Sequence, residues 1–213
     1  MHSPQLVYIM DPMCSWCWGF APVMQQLLEQ AQAAGVATTL RVGGLRTGEQ
    51  AVLDEQKRTY ILQHWRAVAE ATGQPFNFTD ALPSGFLYDT EPACRALVVA
   101  PRELDASLLF DFLARLQQAF YQGGQDITRA VVLREIAAQA GYRPEAFAQG
   151  FDAADTHVAL QTEFAWVQNL AVRGFPTVLA QHQQQYALLT NGYQPYSALQ
   201  PLLERWIATN VGT

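Results

Sequence analysis

Two cysteines separated by two residues, in Cys14-Ser15-Trp16-Cys17, have the spacing that most directly permits chemistry. Thiol–disulfide exchange needs one thiolate able to attack and a second thiol close enough to resolve the mixed disulfide. The same spacing can supply half of a structural zinc site, which needs four ligands. Only Cys94 remains as a further cysteine, and His64, His157 and His182 fall on separate predicted elements. No metal site is therefore expected. A third reading is an inert pair, and its place along the chain decides against that one.

Leu6 to Met10 is a short, unbroken apolar run, the pattern of a strand buried on both faces. After Asp11-Pro12 the period changes. Phe20, Val23, Met24, Leu27, Leu28 and Ala31 recur at three- and four-residue spacing, which predicts a helix closed by Gly35. Val36 to Val42 reads as a second strand, followed by Gly43-Gly44. The cysteines thus fall where a buried strand hands over to a helix. Unpaired N–H groups and the positive end of the helix dipole favour a thiolate there, and such settings lower a cysteine pKa from about 8.5 to roughly 3.5–7.5. Cys14 is expected to be the exposed nucleophile. Cys17, about one helical turn on, is expected to be the more buried resolving thiol.

The end of the chain has another order. Leu160, Phe164, Val167 and Ala171 predict a helix leading into Arg173-Gly174-Phe175-Pro176-Thr177. Val178-Leu179-Ala180 and Tyr186 to Leu189 flank a polar turn and predict an antiparallel hairpin. Leu199, Leu202, Leu203 and Trp206 predict a last helix after Pro195. Strand–helix–strand followed by helix–strand–strand–helix is the thioredoxin order. Pro176 has two readings: an ordinary start to an edge strand, or a cis bond that opens the backbone of Phe175 to an incoming extended chain.

Between about Glu49 and Asp152 no strand is expected. Helical stripes are formed by Tyr60, Ile61, His64, Trp65 and Val68, by Leu109, Phe112, Leu113, Leu116 and Phe120, and by Val132, Leu133, Ile136 and Ala140, the last closed by Gly141. A shorter helix should begin at Pro92 after the capping candidates Asp89 and Thr90. The expected architecture is α/β: a thioredoxin-like mixed sheet flanked by helices, formed by 1–48 and 153–213 and interrupted by an all-helical insertion at 49–152.

Composition fits a globular protein: half of the 213 residues are apolar and 15% are charged. A net charge of −6 argues against nucleic-acid and anionic-membrane partners, which select basic surfaces. No stretch is apolar enough to span a bilayer. Met1 to Gln5 lacks the basic and apolar regions of a secretory signal, so a cytoplasmic location is expected.

With these elements in place, Asp11-Pro12-Met13-Cys14-Ser15-Trp16-Cys17-Trp18-Gly19-Phe20 resembles the DsbA family of the thioredoxin superfamily, in its FrnE-like, predicted protein-disulfide isomerase branch. The resemblance extends to Thr72-Gly73-Gln74-Pro75-Phe76 and Glu91-Pro92-Ala93-Cys94-Arg95-Ala96. It implies that Cys14 attacks, that Cys17 resolves, and that Pro176 is cis and faces the pair, with Phe175 and Thr177 flanking a substrate groove. It implies protein or peptide thiols as substrates. No cofactor beyond the redox-active disulfide is implied, and glutathione or a thioredoxin-type protein is a candidate exchange or recycling partner. Periplasmic members place Pro-His between the cysteines. Ser15-Trp16 here speaks against strongly oxidising character, on a scale where thioredoxin and DsbA differ by about 150 mV. The direction of exchange stays open.

Two other functions fit the same scaffold. One is a glutathione-dependent isomerase or transferase of the kappa-class or 2-hydroxychromene-2-carboxylate isomerase type, which typically has serine at the catalytic position. The other is a redox-independent client-binding chaperone. Among single residues, Asp11 either tunes Cys14 or turns the chain. Cys94 either exchanges thiols or packs as a small apolar group. His64 either faces the cleft or lies on a helix surface. Trp16 and Trp18 either form a partly exposed apolar docking surface or, for Trp18 at least, pack into the core, Trp16 having the better functional case.

Overall fold

A computed structural model describes residues 3–99 and 106–211. Strand β1 (Gln5–Met10) is covered on both faces, as its unbroken apolar run requires. Leu6, Tyr8 and Met10 enter the main core, and Val7 and Ile9 pack with Val167 and Leu179 on the other side. β1 pairs in parallel with β2 (Ala37–Val42) and antiparallel with β3 (Thr177–His182), which pairs antiparallel with β4 (Gln185–Asn191). The strand order is β2-β1-β3-β4, so the two central strands come from opposite ends of the sequence.

Helix α1 (Ser15–Ala33) crosses from β1 to β2 and buries Phe20, Met24, Leu27 and Ala31 against the sheet. It ends where Gly35 adopts φ +70°, in the left-handed region that glycine enters without cost. Pro22 lies inside α1 and cannot donate to the carbonyl four residues earlier. That carbonyl belongs to Trp18, and Gln74 Nε2 donates to it at 2.9 Å. A side chain beyond the next helix thus repairs the gap that the proline leaves.

Helix α2 (Glu55–Thr72) is capped by Asp54, whose Oδ1 accepts from Lys57 N–H at 2.7 Å, and it ends at Gly73. It is followed by α3 (Glu91–Val99), α4 (Ala106–Tyr121), α5 (Ala130–Gln139) and α6 (Pro144–Asp152). Then α7 (Ala154–Asn169) covers the second face of the sheet, where Arg41 of β2 pairs with Glu163 and lies over the Trp166 ring. Helix α8 (Tyr196–Asn210) returns beside α1, with Tyr196 Oη donating to Gln30 Oε1 at 3.2 Å.

Several local expectations need correction. Helix α6 was not anticipated, because only Phe147 and Phe151 mark its buried face and Gly150 interrupts it. Helix α7 stops at Asn169; Ala171 lies outside it, exposed, at φ +55°. Leu202 is exposed, the buried face of α8 being Leu199 and Leu203. Tyr60 and His64 are exposed beside the α2 stripe, which is Ile61, Leu62, Trp65 and Val68. Helix α3 begins one residue before Pro92, with Asp89 Oδ1 accepting from Glu91 N–H at 2.9 Å.

The contact between α1 and α2 leaves no room for a side chain at Gly19. A Cβ there would lie 2.7 Å from Val68 Cγ1 and 2.9 Å from Thr72 Cγ2. Gly19→Ala is expected to destabilise the protein by about 1–3 kcal/mol through overpacking, against the gain in helix propensity. A fall in the urea midpoint at unchanged m-value checks this.

Candidate active site

β1 and β3 are antiparallel neighbours, so the C-terminal end of β1 and the N-terminal end of β3 lie at the same edge of the sheet. The first carries the chain into Cys14 and the second is entered from Phe175-Pro176, a cis peptide bond. Cys14 is the N-cap of α1, with φ −84° and ψ 115°. Its carbonyl accepts from Cys17 N–H at 2.9 Å and from Trp18 N–H at 3.1 Å, closing the first turn. The Cys14 thiol donates to the Phe175 carbonyl across 3.7 Å. No carboxylate lies in the first turn of α1, so its open N–H groups are not already neutralised there.

Cys14 was expected to be exposed. It is 6% exposed and Cys17 fully buried. Both are free thiols. Burial pushes the Cys17 thiol well up, with the neighbouring Cys14 adding to the shift. The buried Cys17 thiol therefore stays protonated at neutral pH.

Cys14 lines a cavity of about 280 Å³. Ser15 and Trp16 line it beside Cys14, Leu45 and Arg46 line it from the segment after β2, and Phe175 closes another side. Tyr60, Ile61, His64 and Trp65 contribute from α2, and Tyr88 from the segment before α3. His64 meets Tyr60 edge-on, with ring centroids 4.4 Å apart. Trp18 does not join this surface. It is 4% exposed, stacks on Tyr121 and donates from Nε1 to the Pro75 carbonyl at 3.0 Å.

Asp11 lies behind the cavity and is fully buried. Oδ1 accepts from Met13 N–H at 2.8 Å, and Oδ2 accepts from Leu45 N–H at 2.6 Å and from the Cys94 thiol at 3.4 Å. One carboxylate thus ties the turn before Cys14, the wall after β2 and helix α3 together. Burial pushes its carboxyl up, against hydrogen bonds that favour the ionised form. Cys94 is sealed, and burial pushes its thiol well up. Thr177 is also buried, its hydroxyl donating to the Gly174 carbonyl at 2.9 Å, so that side chain does not line the cavity.

Leu45, Arg46 and Tyr88 were not singled out from the sequence. A signal existed for the first two: ligands gather beyond the carboxyl ends of parallel strands, and Gly43-Gly44 marks the end of β2. Gly43 also makes room for Phe175. A Cβ on it would lie 2.0 Å from Phe175 Cζ. Gly43→Ala should displace that ring at a cost of about 1–3 kcal/mol and slow exchange at Cys14, as unfolding and turnover measurements on one preparation will show. Among the described residues no cluster of side chains suits a metal ion, and no helix is long and apolar enough to cross a membrane.

Comparison with known proteins gives this site a context. A candidate protein disulfide isomerase from Nitrosomonas europaea is 37% identical, with 98% of this chain and 99% of that one covered and a TM-score of 0.90. The cytosolic disulfide reductase DsbM from Pseudomonas aeruginosa is 28% identical over 96% of this chain and 99% of its own, with a TM-score of 0.79, and is also known in a structure with GSH. The ClpXP adapter protein SpxH of Halalkalibacterium halodurans is 24% identical over 95% of this chain and 68% of its own. The first two of these support thiol–disulfide chemistry as the general class. The family description "DSBA-like thioredoxin domain" matches residues 5–204, nearly the whole chain, and the chain belongs to that family.

Proposed function

We propose that this protein is a cytoplasmic dithiol–disulfide oxidoreductase that reduces or isomerises disulfides of peptides, proteins or small thiols through Cys14 and Cys17. The observation that carries the reading is the placement of Cys14: at the N-cap of α1, lining a cavity and facing the Phe175 carbonyl, with Cys17 sealed one turn behind. In the first step the Cys14 thiolate attacks one substrate sulfur. The substrate S–S bond breaks, a mixed disulfide forms, and the other substrate sulfur leaves as a thiolate. Negative charge on the Cys14 sulfur meets the N-terminal end of α1. Cys17 then gives up its proton and attacks the Cys14 sulfur, releasing the second substrate thiol. The Cys14–Cys17 disulfide left behind takes two electrons from two molecules of a small thiol, which leave as their disulfide, or from the dithiol of a thioredoxin-type reductant.

Phe175 has a natural part in this sequence. Once Cys14 is in a disulfide it has no S–H to donate, which frees the Phe175 carbonyl to accept from a substrate N–H. Ser15 and Trp16 line the cavity beside Cys14, the cis bond at Pro176 follows the Phe175 carbonyl, and Asp11 acts through the turn that it holds. Retention of both thiols favours this reading over the glutathione-dependent isomerase; 2-hydroxychromene-2-carboxylate isomerase, at 12% identity, shares the fold alone.

Cys17→Ala supplies the test. Without the resolving thiol, a peptide disulfide should leave a stable adduct on Cys14, identified by intact mass and peptide mapping. An adduct on Cys94, or none, would overturn the proposal.

A further inference from the structure

The cavity at Cys14 differs in charge from the protein around it. The chain carries a net charge of −6. The titratable side chains that line the cavity are Cys14, Arg46, Tyr60, His64 and Tyr88, with no carboxylate among them. Arg46 is the fixed cation of this set, because a guanidinium stays charged at every working pH.

Arg46 is also held in place. Its N–H donates to Thr90 Oγ1 at 3.2 Å, and its carbonyl accepts from Thr90 N–H at 2.7 Å. The preceding residue, Leu45, is tied to Asp11. The guanidinium lies 5.4 Å from the Tyr88 ring centroid, and Tyr88 Oη donates to the Met13 carbonyl at 2.6 Å, one residue from the reacting cysteine. Glu49 and Lys57 border a small neighbouring depression with Arg46. Among the described residues, however, no carboxylate forms an ion pair with Arg46. A cation fixed on a backbone clamp, rested on an aromatic face and left without a counter-ion is suited to a carboxylate brought in by a substrate.

We infer that Arg46 is a specificity-determining residue that selects small disulfides carrying a carboxylate near the reacting sulfur. The inference rests on the exchange chemistry proposed for Cys14 and Cys17 and names the substrate class of that site. The cavity, about 280 Å³, has room for the reacting end of a small disulfide. The sign of the effect is diagnostic. Long-range attraction to a protein of charge −6 would favour a cationic disulfide, so a preference for an anionic one must arise locally.

The test uses the reduced full-length protein and three probes: glutathione disulfide, which is anionic, bis(2-hydroxyethyl) disulfide, which is neutral, and cystamine, which is cationic. Each rate is divided by the rate of dithiothreitol with the same probe, to remove intrinsic reactivity. The expected order at low salt is anionic, then neutral, then cationic, with about a tenfold or greater span between the ends. That span should shrink in 1 M salt, where the screening length falls to about 3 Å. Arg46→Gln should reduce the anionic-to-cationic ratio about tenfold, and Arg46→Glu should invert it. A wild-type protein that favours cystamine or ranks the probes by reactivity alone overturns the inference, as does an unchanged ratio in Arg46→Gln. Should the variants fail to fold, the wild-type ranking and its salt dependence decide. Reaction with the neutral probe keeps the exchange reading intact in those cases, whereas no reaction at Cys14 with any probe overturns that reading too.

Discussion

Replacing Cys14 by serine is expected to lower the rate of disulfide exchange by at least about three orders of magnitude, the scale on which covalent nucleophiles are lost elsewhere. The reason is chemical, because a hydroxyl is not ionised at neutral pH and forms no bond to a substrate sulfur under these conditions. The structural effect should be small. Serine is slightly smaller than cysteine and keeps a donor for the Phe175 carbonyl. Activity and stability should therefore separate, with turnover collapsing while the unfolding midpoint moves little. Cys17→Ala should behave differently, keeping the first step and losing release. Full activity in Cys14→Ser, measured against a peptide disulfide, would remove Cys14 from the mechanism.

The second large effect is expected at Asp11, and it is structural. Asp11→Ala deprives the buried Met13 N–H and the half-buried Leu45 N–H of their acceptor and leaves the buried Cys94 thiol without a partner. Each buried donor so stranded costs about 1–3 kcal/mol, so a total of about 3–5 kcal/mol is expected. The effect should depend on pH. Burial raises the Asp11 carboxyl above its unfolded value of about 3.9, so between the two values the folded state binds more protons. The stability tied to that proton is fully present below about pH 3.9 and is lost as pH rises through the folded value. The wild-type advantage over Asp11→Ala should therefore widen on acidification. Glu91 and Glu163, which burial also raises, are common to both proteins and leave the difference unchanged. Urea unfolding of the two proteins across that range measures it; a gap that narrows instead would contradict this account.

The parts of the fold that were legible in the sequence were those carried by periodicity. The unbroken run from Leu6 to Met10 and the three- and four-residue spacing from Phe20 to Ala31 located β1 and α1, and with them the place of Cys14. Helix α6 escaped because two phenylalanines around Gly150 make a weak stripe. Trp18 is readable either as a surface or as a core residue, because its partners, Pro75 and Tyr121, lie far along the chain and only the packed structure brings them together. The same holds for Asp11, whose ambiguity was between turning the chain and tuning the thiol. Its bond to Met13 is local and readable as a turn, but those to Leu45 and Cys94 cross the fold. Arg46 was passed over because one arginine after a strand carries no pattern; its interest comes from the side chains that are missing around it. Periodicity reports what a residue buries and says little about what it meets.

The separation of 161 positions between Cys14 and Phe175 also has a consequence in time. A ribosome adds about 5–20 residues per second, so roughly 8–32 s separate the emergence of the cysteine pair from that of the carbonyl that faces it. During that interval β1 has its parallel neighbour but not its antiparallel one, and both thiols are attached to an unfinished sheet. The nascent chain thus displays two cysteines before it owns the groove that directs them. Completion of the site waits until the β3–β4 hairpin has been made and closes on the first strand.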